Sequence, residues 1–165
     1  MILALLLVTA AAYVWISGGA LPPTVASHFD ASGVANGFMP RSSYLGLMLI
    51  VTLGVPLLIA ITGAIASHLP ARLVNVPHRD YWLAEERRAT TVATLATMST
   101  SFASALLVFL CFVHWLVLRA NAGQPPRFDS SLFLVGLVAF MVVTFGGLAI
   151  LVLRFASVPR GTRTR

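Results

Sequence analysis

Four long apolar runs, Met1 to Ile16, Tyr44 to Ala66, Ala89 to Leu118 and Leu132 to Phe155, fill most of this 165-residue chain. Each is close to the roughly 17 to 25 residues that a helix needs to cross about 30 Å of hydrocarbon. Lipid offers no partner to an unpaired backbone N–H or C=O, so such runs must satisfy their own groups, as helices do. The expected architecture is all-α: one integral membrane four-helix bundle over residues 1–165, with spans near 1–17, 43–66, 89–118 and 131–155. Composition agrees, because 10% charged residues is less than half of the roughly 25% usual in a soluble domain. Room remains for one compact helical unit and not for a separate soluble domain.

The net charge of +6 is carried by arginine alone on the basic side, and its placement matters more than its sum. Arg72, Arg79, Arg87 and Arg88 lie between the second and third runs, and Arg154, Arg160, Arg163 and Arg165 close the fourth. Only Arg41, Arg119 and Arg127 lie on the opposite side. The positive-inside rule then puts both termini and the middle loop on the cytoplasmic side, and the first and third loops outside. A short basic tail of this kind fits topology and attraction to anionic lipid, and no nucleic acid is expected as a partner.

The first run ends in Ser17, Gly18, Gly19 and Ala20, which resembles the small-residue end of a signal peptide, but it lacks the basic n-region. Retention as a short first helix is the expectation. The single Cys111 sits inside the third run and forms no intrachain disulfide.

Between the first two runs lies a loop of roughly twenty residues, longer than a helical hairpin needs, and long loops tend to carry function. Pro22 and Pro23 stop a helix and favour an extended start, so Thr24 to Phe29 is predicted as a short extended stretch on the membrane surface. Asp30, Gly33, Asn36 and Gly37 are turn formers. His28, Phe29, Asp30, Gly33 and Gly37 are therefore the candidate binding residues of a structured outer loop.

The cytoplasmic segment from Asn75 to Arg88 is the second unusual stretch. Pro77 blocks a helix, Asp80 suits the N-cap of one starting at Tyr81, and Glu85 and Arg88 are spaced for an ion pair. Tyr81 and Trp82 suit the headgroup zone, giving either a plain interfacial ledge or a docking surface for a partner built from Tyr81, Trp82, Arg87 and Arg88.

These two stretches carry a family resemblance. Leu21-Pro22, His28-Phe29-Asp30, Gly33 and Gly37 resemble the LPxxxPxHFNxxGxxDG pattern of bacterial membrane proteins related to the SdpI immunity protein, with Ala26, Asp30 and Asn36 as departures. Asn75 to Arg88 is similar to the NxPxxxYWLxxERR segment of some of those proteins. The resemblance covers about a quarter of the chain, is to the first module of that immunity protein, and implies an immunity-like or signalling role at these two surfaces.

In the third run Thr90, Thr94, Thr97, Ser101 and Ser104 share one helix face, and small hydroxyl residues let helix backbones approach. This face is expected to meet another helix, within the monomer or across a homo-oligomer seam, with Gly146 and Gly147 as a complement. Gly54 and Pro56 predict a local bend in the second run.

Chemistry is sparse. No Asp, Glu, Lys or Arg lies deep in a span, against a pump or coupled transporter, and no His-Glu-x-x-His, Walker or Gly-x-Ser-x-Gly pattern occurs. His28, Asp30, His114 and Asp129 share one side of the membrane and are suitable zinc-ligand types. The competing readings are a turn bond for His28, the aromatic boundary for His114 and the N-cap of the fourth helix for Asp129. A faint echo links Pro22-Pro23 and Phe29-Asp30 to Pro125-Pro126 and Phe128-Asp129.

The chain reads as a non-catalytic membrane protein, without a cofactor, that presents an outer loop to a peptide, lipid or protein and a cytoplasmic ledge to a partner. The alternatives are an accessory subunit of a larger membrane complex and a membrane enzyme using the outer His and Asp groups.

Overall fold

The computed structural model describes residues 2–66 and 68–157. In chain order these form α1 (Ile2–Gly18), β1 (Thr24–Phe29), β2 (Ala35–Pro40), α2 (Arg41–Leu49), a π-helical turn (Ile50–Gly54), α3 (Val55–Ile65), a 3-10 turn (Ala71–Leu73), α4 (Arg79–Trp82), α5 (Glu85–Ala122) and α6 (Ser130–Ala156). The protein is mostly helical. The rod Arg41–Ile65, α5 and α6 are each long and apolar enough to cross a membrane, and α1 is a shorter apolar helix.

The distortion expected at Gly54 and Pro56 is the π-helical turn between α2 and α3. Pro56 has no N–H to offer Thr52 and its ring crowds that carbonyl, and an added residue in the turn relieves the conflict. The chain then continues as one rod.

α5 is the axis of the molecule: α1, α3 and α6 all lie against it, and α1 also lies against α2. Small residues set the closest approaches. A Cβ on Gly63 of α3 would run into the Ser99 side chain of α5, and one on Gly18 of α1 would run into Leu45 of α2. Backbones can close up where no side chain intervenes.

Within the monomer the hydroxyl face of α5 is not its main packing face. Its buried residues are Thr91, Val92, Ala103, Leu107, His114, Leu116, Val117 and Ala120, whereas Thr90, Thr97 and Ser101 are exposed. The hydroxyls of Thr94, Thr97 and Ser104 donate to the carbonyls of Thr90, Ala93 and Thr100. Back-bonding to their own helix satisfies these groups, so they need no neighbour. Gly146 and Gly147 likewise face open space.

Burial is concentrated at the two ends of the helices. Leu21, Val25, Tyr44 and Val117 form one cluster, and Val74, Val76 and Leu83 form the other. Between them Leu58, Val142, Val143 and Leu153 stay at least 62% exposed. Water would penalise such a surface at roughly 25 cal/mol per Å², and hydrocarbon would not.

Candidate functional site

The candidate residues fall into two clusters at opposite ends of α5, whose 38 residues span about 57 Å at 1.5 Å per residue. His28, Phe29, Asp30, Gly33 and Gly37 lie in the β1–β2 hairpin. Tyr81, Trp82, Arg87 and Arg88 lie in the segment that leads into the other end of α5.

The extended stretch predicted over Thr24 to Phe29 is β1, paired antiparallel with β2 through Val25 with Met39 and Ala26 with Phe38. The register shifts around His28, and Gly37 is its partner. Gly37 is a strand residue and not a turn: its missing side chain leaves the space taken by His28, whose Cβ would lie 2.9 Å from an added Cβ. The His28 ring is exposed, and its Nδ1 lies 3.1 Å from the Ser27 hydroxyl rather than bonding the Asp30 turn.

The turn itself is built by Asp30. Its Oδ1 accepts from the Ser32 N–H at 2.9 Å, the Ser32 hydroxyl at 2.7 Å and the Val34 N–H at 3.0 Å. The Ser32 hydroxyl first, and the backbone donors after it, hold the Asp30 carboxyl below the usual carboxylate range. Gly33 has φ +81, and a Cβ there would strike the Phe128 carbonyl. Glycine is needed on both counts.

The hairpin is anchored from two directions. The Phe128 N–H donates to the Gly33 carbonyl at 2.8 Å, Val34 bridges to Arg127, and Phe29 stacks on Phe128 at 5.1 Å. The two segments joined by the sequence echo are thus neighbours in space. From α5, Asn121 Oδ1 accepts from the Ala26 N–H at 2.8 Å and its Nδ2 donates to the Ala26 carbonyl at 2.9 Å. Asn121 caps the free edge of β1 as another strand would. Arg41 adds bonds to the carbonyls of Gly19 and Leu21 that follow α1.

Below the hairpin, His114 is fully buried and bonded at both ring nitrogens. The Ser17 hydroxyl donates its one hydrogen to the Tyr13 carbonyl at 2.6 Å, so it accepts from His114 Nε2–H at 3.0 Å. Nδ1 is left to accept from the Tyr44 hydroxyl at 2.9 Å. One imidazole therefore ties α1, α2 and α5 together. The candidate metal ligands have other partners: His114 has no free nitrogen, Asp129 caps α6 by accepting from the Leu132 N–H, and Asp30 is engaged in its turn. Among the described residues no group of three or more His, Cys, Asp or Glu is placed to hold a metal ion.

At the other end, Trp82 Nε1 donates to the Phe155 carbonyl at 2.9 Å and the two rings meet edge to face at 5.2 Å. This bond satisfies a carbonyl in the last turn of α6, which has no partner within its own helix. The Thr91 hydroxyl donates to the Trp82 carbonyl, and Arg87 lies 4.0 Å over the Tyr81 ring while its Nε donates to the Tyr81 carbonyl. Two local expectations fail here. His78, at φ 50, and not Asp80 precedes α4, and Arg88 bonds the Leu69 carbonyl rather than Glu85. An exposed ion pair with Glu85 would add little, whereas the Leu69 carbonyl left unpaired would cost more.

Sequence reasoning missed Asn121, Tyr44 and Ser17. Their only signal was a polar group at the edge of an apolar run, a signal shared with many boundary residues.

Residues 2–54, about a third of the chain, match the family model described as a domain of unknown function (DUF1648). That stretch covers α1, the hairpin, α2 and the π-helical turn, and excludes the ledge. No curated protein and no solved structure matches the chain.

Proposed function

We propose that this is a four-span protein of a bacterial inner membrane, with both termini cytoplasmic, whose hairpin binds a peptide, lipid or protein outside the cell. The arginine distribution supports the orientation. The motif residues on either side of the rod support kinship with SdpI-related proteins and an immunity-like or signalling role. The ledge around Tyr81, Trp82, Arg87 and Arg88 is the partner-docking surface, and the helices couple the two ends. Coupling requires a ligand that favours one conformation, because equal affinity for two shifts nothing.

One observation carries the binding reading. The hairpin is fixed to α5 by Asn121, yet it holds Val34 and Phe38 47% and 58% exposed, with His28 exposed beside them. Rigid exposed apolar groups suit recognition better than mere connection. A photo-crosslinking residue at Phe38 of the full chain in intact cells should give one discrete adduct that Asn121→Ala diminishes. Absence of an adduct from both Phe38 and Val34 rejects the reading. Cysteine at Ser32 should react with an impermeant thiol reagent added outside, and cysteine at Ala84 should not; the reverse overturns the orientation.

The accessory-subunit alternative has its own support in α6, whose most apolar stretch has no buried residue. Such a helix is available to a neighbouring span. A stable companion that co-purifies in mild detergent and is lost on substitution along α6 would favour it.

A further inference from the structure

A groove of about 490 Å³ opens between α3, α5 and α6, lined by Ile59, Met98, Phe102, Thr144, Gly147 and Leu151 among others. Its volume lies inside the range of about 300 to 1,000 Å³ typical of ligand sites, and its walls are almost wholly apolar. The residues from α5 and α6 sit in the halves of those helices nearer the ledge, and Ile59 is near the middle of α3.

Charge at the end of the groove identifies the occupant. On α6, Val143 and Gly147 line the groove, and Arg154, eleven and seven positions on respectively, falls on the same helical stripe. From Gly147 it lies about 10 Å further toward the ledge. Its side chain is exposed, and among the described residues its guanidinium has no hydrogen-bond or ion-pair partner. Arg87 and Arg88 are spent on the carbonyls of Tyr81 and Leu69. The same end carries Arg72, Arg79, Arg87, Arg88 and Arg154 against Asp80, Glu85 and Glu86, an excess of positive charge. An apolar slot that ends in a free arginine matches an acyl chain joined to an anionic head.

We propose that this groove holds one acyl chain of an anionic phospholipid whose phosphate pairs with Arg154. The site rests only on the helices lying in a membrane and not on the hairpin reading. Its rival is a helix of a second copy packed into the same apolar groove.

The test uses the full chain in mild detergent, offered phosphatidylglycerol and phosphatidylcholine of equal acyl length and read by native mass spectrometry. One phosphatidylglycerol should be retained over phosphatidylcholine by about fivefold, the factor one basic residue contributes near an anionic lipid surface. Arg154→Gln should abolish that preference. Gly147→Phe fills the groove from a position with open space around it and should lower retention of both lipids. Should that variant fail to fold, Ser101→Phe on the facing wall replaces it and should do the same. Equal retention of the two lipids by the unaltered chain, wild-type retention by the filled variant, or a dimer that the filled variant converts to monomer would each overturn the proposal.

Discussion

Asn121 bonds both backbone groups of Ala26, accepting from its N–H at 2.8 Å and donating to its carbonyl at 2.9 Å across 95 positions of sequence. Ala26 is fully buried, so neither group has water as a substitute. Asn121→Leu should cost about 1 to 3 kcal/mol for the groups left unpaired. Amide exchange at Ala26 should rise in the same variant. Asn121→Asp, which keeps the acceptor but sets a carboxylate oxygen against the Ala26 carbonyl, should destabilise as well. Unchanged exchange in Asn121→Leu would show that the hairpin is held by something else.

Gly33 combines a positive φ with a carbonyl where a side chain would begin. Gly33→Ala should therefore lose on the order of 1 kcal/mol or more in denaturation of the detergent-solubilised protein. The break should be local, with raised exchange at the Phe128 amide that Gly33 holds. Stability equal to the unaltered chain would remove the turn from the account.

Asp30 gives the hairpin a pH dependence of definite sign. Its folded carboxyl is held below the ordinary range by the Ser32 hydroxyl and the backbone donors. Its contribution is present above the unfolded value and is lost as pH falls through the folded one. Protection of the Val34 amide should accordingly drop on acidification below the usual carboxylate range. Asp30→Asn should flatten that step, and a step that persists in the variant would assign it to another group.

Trp82 joins the ledge to the end of α6 by one hydrogen bond and one ring contact. Trp82→Phe keeps an aromatic ring and should cost about 0.5 to 1.5 kcal/mol, the net worth of a typical bond. Trp82→Ala loses both and should cost more. A cysteine probe at Ser157 should become more reactive in the alanine variant alone if the contact fixes the end of α6. Equal reactivity in all three proteins would dissociate the ledge from α6.

Local sequence determined the elements whose cause lies within a few residues. All four apolar runs specified helices, three of them long enough for a membrane, because hydrocarbon leaves the backbone only its own partners. The double proline made Thr24 to Phe29 extended, Asp30 and Gly33 formed a turn, and Asp129 capped α6 through the Leu132 N–H. Tertiary structure decided everything that needed a distant partner. Asn121 found Ala26, Tyr44 and Ser17 closed on His114, and Trp82 reached Phe155, although each looked like an ordinary boundary residue. It also left Thr90, Thr97 and Ser101 exposed in the monomer, and the Thr97 hydroxyl, satisfied by the Ala93 carbonyl, exerts no demand on a neighbour. A local pattern states which groups must be satisfied, and only the packed chain states by which partner, because many polar residues near helix ends carry the same requirement.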